Sequence, residues 1–146
     1  MSDIRYKLDT ADNNCNFSKI VDAINTVMDA GYSGYMKCTF PGFGTHRYFP
    51  GTSNEKFMFW FPKIKNSYNV SNKYSKDGMT ISDQANPLDS EDKEVLRVVF
   101  LKQNENLGHQ FIGIYKYDGR VDSYNVYRRV STQANVYKDN TIEMLT

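Results

Sequence analysis

The stretch KFMFWFPKI, residues 56–64, decides the fold. Phe57, Phe59 and Phe61 alternate with Met58 and Trp60, the only tryptophan in the chain. A period of two with aromatic residues specifies a β-strand. Both parities are apolar, so neither face is simply solvated. Pro62 withdraws a ladder donor and ends the strand or sets it at an edge. Lys56, Lys63 and Lys65 flank it. The phenylalanines are expected to enter the core, which turns Trp60 and Met58 outward beside Lys63 and Lys65. A binding face anchored on Trp60 requires that ring to be exposed.

Working outward, 146 residues correspond to one domain. Eleven Tyr and nine Phe give an aromatic fraction of 14%, which points to a β-rich fold with an aromatic core. No apolar run is long enough to cross a membrane as a helix, and the first residues carry no apolar signal region, so a cytoplasmic protein is expected. Cys15 and Cys38 are too few for a disulfide framework or a zinc site and read as free thiols. No cofactor or metal is expected.

The net charge of +1 conceals a segregated distribution. Residues 31–76 sum to +6, residues 77–94 to −5, and residues 95–138 to +4. If the two basic segments are neighbours in space, they form a basic face that the total hides.

The periodicity predicts one helix over 16–30. Phe17, Ile20, Val21, Ile24, Val27 and Met28 make its apolar stripe, Asn16 or Ser18 its cap, and Gly31 its C′ residue. Strands are expected at 32–40, 56–61, 79–82, 95–102, 109–117 and 121–130. The last pair is joined through Asp118-Gly119, a strong hairpin dipeptide. VLRVVFLK, residues 95–102, reads as a central strand buried on both faces, with Arg97 reaching out. Gly113 in mid-strand implies a bulge, a bend or a close approach. The fold class is therefore α+β: one N-terminal helix with a strongly bent antiparallel sheet, or a small open β-barrel, of six or seven strands. Residues 1–15 read as an N-terminal arm or a short edge strand, 16–138 as a single barrel-like domain with one more possible strand at 135–138, and 139–146 as a tail.

Catalytic signatures are missing. The two histidines, His46 and His109, form no HExxH pattern, and there is no GxSxG elbow. An enzyme is not expected. Binding has more support, because basic and aromatic residues interleave at Tyr35 and Lys37, at His46, Arg47, Tyr48 and Phe49, at Trp60 with Lys63 and Lys65, and at Tyr124, Tyr127, Arg128 and Arg129. Aromatic faces stack on bases while Lys and Arg neutralise phosphates. Of these, His46, Arg47, Tyr48, Trp60, Lys63, Lys65, Arg128 and Arg129 are the candidate nucleic-acid interface, with DNA or RNA as the partner.

The pattern RVVFLK (97–102), LGHQFIGIYKY (107–117) and VYRRVS (126–131) resembles the closing strands of PUA-like modules, the group that contains SRA, EVE and ASCH domains. INTV, YSGYMKCTF and WFPK followed by DG and TI are similar to segments attached to bacterial restriction endonucleases and mobile-element proteins. The likeness runs from Ile20 to Ser131. It implies a small pseudo-barrel that binds RNA, or a modified base flipped from DNA into an aromatic pocket. It would place Trp60 and Tyr48 in that pocket and Arg47, Lys63, Arg128 and Arg129 at phosphates. A second reading from the same neighbourhood is a phage or mobile-element inhibitor of a host defence nuclease, an anti-CRISPR or anti-restriction protein. There Glu91, Asp92 and Glu94 would bind the nuclease protein by imitating phosphates.

Overall fold

The computed structural model describes residues 3–34, 39–41, 48–64, 72–103 and 107–146. In chain order the elements are β1 (Ile4–Asp9), β2 (Asn16–Phe17), α1 (Ile20–Val27), β3 (Thr39–Phe40), β4 (Phe49–Pro50), β5 (Lys56–Trp60), β6 (Asn72–Tyr74), β7 (Thr80–Gln84), α2 (Ser90–Glu94), β8 (Leu96–Leu101), β9 (His109–Val121), β10 (Tyr124–Ser131), β11 (Gln133–Tyr137) and β12 (Ile142–Leu145). Nine strands form one mixed sheet whose main path runs β3-β5-β8-β9-β10-β7-β6, with β2 on β9 and β4 on β5. A smaller sheet runs β1-β11-β12. Neither sheet closes among the described residues. The α+β class stands, but the elements are more numerous than expected: twelve strands and two helices among the described residues. One pairing, β5 with β8, is parallel. Residues 1–15 and 139–146, read as arm and tail, contain β1 and β12, which flank β11. No described helix is long and apolar enough to cross a membrane.

All six residues of β8 are buried, as the continuous apolar run predicts. Its two faces serve two cores. On one side Leu96, Val98 and Phe100 join Phe57, Phe59, Phe61 and Phe111, covered by Ile20, Ala23, Ile24 and Val27 of α1 and by Ala134 and Val136 of β11. Phe100 stacks against both Phe59 and Phe61, with centroids 5.9 and 5.3 Å away. Truncating a ring of this kind to Ala typically costs about 3–5 kcal/mol. On the other side Val99 and Leu101 meet Trp60, Ile81, Ile112, Tyr115 and Tyr127.

Gly113 explains how β9 feeds both cores. It sits at φ +130°, where the register against both β8 and β10 slips nearby. Strict alternation would separate Phe111 from Ile114, yet both lie in the first core, while Ile112 and Tyr115 lie in the second. The bulge adds one residue and reverses the parity. A Cβ on Gly113 would lie 2.7 Å from the Ser131 carbonyl oxygen and 2.6 Å from Arg129 Cδ.

Three local expectations are corrected. The helix is shorter than 16–30: Asn16 and Phe17 pair with β9, Lys19 occupies the N-cap position without a side-chain bond, and Met28 ends the helix. The hairpin does not turn at Asp118-Gly119, which lies within β9 with Gly119 at φ +131°. It turns at Asp122 and Ser123, φ +53° and +45°, the consecutive positive angles of a tight type I′ connection. Third, Arg97 does not reach out; it is 2% exposed. Of the strand expected over 32–40, Thr39 and Phe40 form β3, and residues 35–38 lie outside the described region. Cys38 falls there too, while Cys15 is buried and free, its thiol pKa pushed up by burial.

Candidate nucleic-acid interface

The second core is incomplete. Beside it opens a cavity of about 460 Å³, whose walls include Thr39, Trp60, Asp83, Arg97, Asn125 and Tyr127. That volume falls in the range typical of small-molecule sites. Five strands supply these residues, and the ladder registers bring them together. The β10–β7 pairing sets Asn125 opposite Asp83 and Tyr127 opposite Ile81. The β5–β8 pairing sets Met58 beside Arg97 and Trp60 beside Val99.

Trp60 and Tyr127 meet with centroids 5.1 Å apart and planes at 60°. No ring fits between them at that spacing, so they form a corner with two aromatic walls. The Arg97 guanidinium lies over the other part of this wall, 4.5 Å from the Tyr127 centroid. Its Nη1 donates to the Val95 carbonyl oxygen at 3.4 Å. Burial pushes the Arg97 pKa down, and the charges of Tyr127, Asp92 and Asp83 push it back. Guanidinium basicity is high enough that it stays protonated. Burial raises the Asp83 carboxyl pKa, and Arg97 opposes that rise. Asn125 is fully buried and committed: Nδ2 donates to the Asn86 carbonyl oxygen at 2.9 Å, and Oδ1 accepts from Arg120 at 3.0 Å. Arg120 also donates to the Ala85 carbonyl oxygen at 2.7 Å. These bonds hold the segment after β7, with Ala85 and Leu88, against the cavity. The pocket thus offers aromatic faces, a fixed cation and a carboxyl in low-dielectric surroundings.

A family model described as the SET and RING associated domain, SRA, matches residues 4–136. The chain belongs to the SRA family. No curated protein matches it. Among solved structures, it is similar to the 5-hydroxymethylcytosine-specific restriction enzyme AbaSI, with a TM-score of 0.60 and 17% identity over 90% of this chain. The match covers 43% of that enzyme, so the chain spans less than half its length. At this identity the likeness shows a shared fold. The resemblance to PUA-like modules carried by the closing strands is thereby narrowed to SRA.

Within this SRA chain the five described candidate residues, Tyr48, Trp60, Lys63, Arg128 and Arg129, do not form one site. His46, Arg47 and Lys65 lie outside the described residues. Trp60 is 6% exposed, so the exposed-face argument built on it fails. It faces the second core and its cavity because Arg97, Tyr127 and the segment after β7 cover that side of β5. Lys63 is exposed and also lines the cavity. Tyr48 points to the acidic turn instead: its hydroxyl donates to Asp92 Oδ1 at 3.0 Å, and burial with that carboxylate raises its pKa to about 12. Arg128 pairs with Asp118 at 3.2 Å on the surface. Arg129 reaches the Ile112 carbonyl oxygen and the Met79 sulfur. Neither arginine lines the cavity. The two basic segments do meet, at the parallel bridge between Lys63 and Lys102.

The acidic residues of the alternative reading are engaged internally. Asp92 accepts from Tyr48, Lys56 approaches Glu91 at 3.8 Å, and Asp89 caps α2 by accepting from the Asp92 amide. Glu94 is exposed. Nothing in the fold or the comparisons supports a nuclease-inhibitor role. The residues missed in sequence are Asp83, Arg97 and Asn125, while Tyr127 was legible only as part of the aromatic and basic run 124–129. They come from three separate strands, and no spacing rule links them.

Proposed function

We propose that this chain is a DNA-binding module that accepts a flipped, modified pyrimidine base in the cavity walled by Trp60 and Tyr127. The observation that carries the reading is the convergence of that aromatic corner with the buried Arg97 guanidinium and the Asp83 carboxyl on one cavity. A base extruded from a duplex needs a π surface and partners for its Watson–Crick edge. One base–aromatic stack contributes about 1–3 kcal/mol. A carboxylate accepts from the cytosine N4 amino group, and a guanidinium donates to ring acceptors. Family membership agrees with this chemistry, and the specificity of AbaSI makes 5-hydroxymethylcytosine the first base to try. The reading is one of binding rather than catalysis, because the groups that converge are those of recognition.

Trp60 is the sole tryptophan, so its fluorescence reports the pocket directly. Duplexes carrying one 5-hydroxymethylcytosine, 5-methylcytosine or plain cytosine are titrated at low salt. A modified duplex is expected to change the Trp60 emission and to bind at least tenfold tighter than the plain duplex. Asp83→Asn is expected to weaken binding of the modified duplex at least tenfold, because the carboxylate accepts from the N4 amino group that every cytosine carries. Equal affinity for all three duplexes, with Trp60 emission unchanged, refutes the reading.

A further inference from the structure

A second hollow, of about 370 Å³, opens next to the base cavity and shares Ile20 and Lys63 with it. Its lining is strongly cationic. Lys19, Lys63 and Lys102 contribute ammonium groups, and no described lining residue is acidic. Three independent features converge there.

The first is the start of α1. Lys19 is its N-cap residue and offers no side-chain bond to the first turn. The opening N–H groups of a helix have no intrahelical acceptor and carry the positive end of its dipole. The second is His109. Its ring is 3% exposed, stands edge-on to Phe61 with centroids 5.8 Å apart, and has a buried Nδ1 with no hydrogen-bond partner. A buried polar atom left open costs free energy that a ligand can recover. The third is the bridge that fixes two of the lysines. Lys63 pairs with Lys102, while Ile64 N–H donates to the Lys102 carbonyl oxygen at 3.0 Å and Lys102 N–H to that of Pro62 at 3.0 Å. The bridge fixes the backbone of both lysines beside the hollow, and no described lining carboxylate balances their charge.

We propose that this hollow is a phosphate-binding site, with Lys19, Lys63 and Lys102 supplying charge and His109 Nδ1–H and the first amides of α1 supplying oriented donors. The three lysines suit a tetrahedral anion, and exposed helix amides are common phosphate ligands. Its contiguity with the base cavity selects the source: a backbone phosphate of the strand whose base enters beside Trp60. That choice of source rests on the function proposed above; the site itself does not. His109 is held neutral, its pKa lowered to about 4 by burial and by Lys102 and Lys63. An anion beside it offsets those lysines, so occupancy makes protonation easier.

The test follows the His109 ring and the Ile20 and Val21 amides by NMR in the whole chain. Inorganic phosphate is titrated against chloride at matched ionic strength. A saturable shift of these signals with phosphate alone is expected, with affinity reduced at least tenfold in Lys63→Gln/Lys102→Gln. A duplex oligonucleotide is expected to move the same signals and displace phosphate. Phosphate binding that the duplex does not displace assigns the site to free phosphate and overturns the backbone source. No saturable shift in the wild-type chain overturns the site, whatever the variants do. Trp60 emission is read during the titration with a modified duplex: if it stays silent while that duplex displaces phosphate, the base-reading function fails and the phosphate site stands.

Discussion

Acidification from pH 7.5 to 5 should destabilise this protein through His109 alone by about 2 kcal/mol. The folded ring has a pKa of about 4, while an unfolded histidine titrates near 6.5. Between those values the unfolded chain binds the extra proton, so stability rises with pH there and falls as pH drops. The stabilisation of the neutral ring is complete above about pH 6.5 and gone below about pH 4. Across the whole window it amounts to at most about 3 kcal/mol, and pH 5 captures roughly two-thirds of that. Asp83 acts in the opposite sense, because burial raises its folded pKa and protonation then favours the native state. The clean quantity is therefore the wild type minus His109→Gln. Urea unfolding at pH 7.5, 6 and 5 gives it, with chain-wide titrations cancelling between the two proteins. The wild type should lose about 2 kcal/mol more than the variant by pH 5. Parallel curves for the two would refute the buried, neutral His109 and weaken the case for its open Nδ1 as a ligand donor.

Replacing Gly113 by Ala should cost about 2–4 kcal/mol, from positive-φ strain and from contact with the Ser131 carbonyl, which cannot swing away. A loss below 1 kcal/mol in chemical denaturation would show that the bulge is not fixed by its glycine. Arg128→Ala should change stability by less than about 1 kcal/mol, since its pair with Asp118 is exposed. If Arg128 meets a DNA phosphate, the same change lowers the slope of log affinity against log salt by about one; an unchanged slope removes it from the interface. Trp60→Phe should keep most DNA affinity and Trp60→Ala should lose it, while circular dichroism reports whether the Ala variant remains folded.

The strands at the centre of the fold were legible because their apolar residues repeat at short period. KFMFW, LRVVFL and HQFIGIY carry enough buried surface to declare themselves. β1 and β12 did not. Their exposed, polar positions look like tails until β11 supplies a partner. Gly113 was visible as an irregularity, yet its consequence was not: a parity reversal depends on which strands flank the bulge. Trp60 shows the same limit. Alternation separates it from the phenylalanines, but a residue opposite the main core is solvent-exposed only if nothing covers that face. Arg97 was the misleading element, because a charged residue on a strand is usually outside. Here Tyr127 supplies a π surface for it, from thirty residues downstream. Long-range juxtaposition of this kind leaves no local trace.

The pairing of β1 with β11 has a consequence for synthesis. Asp9 lies opposite Gln133, so among the described strands β1 has no pairing partner until residue 133 has been made. At ribosomal speeds of about 5–20 residues per second, β1 waits on the order of ten seconds as an unpaired edge. Its charges, Arg5, Lys7 and Asp9, discourage premature pairing with other nascent chains during that delay. The most polar strand of the small sheet is thus the one that has to remain soluble longest.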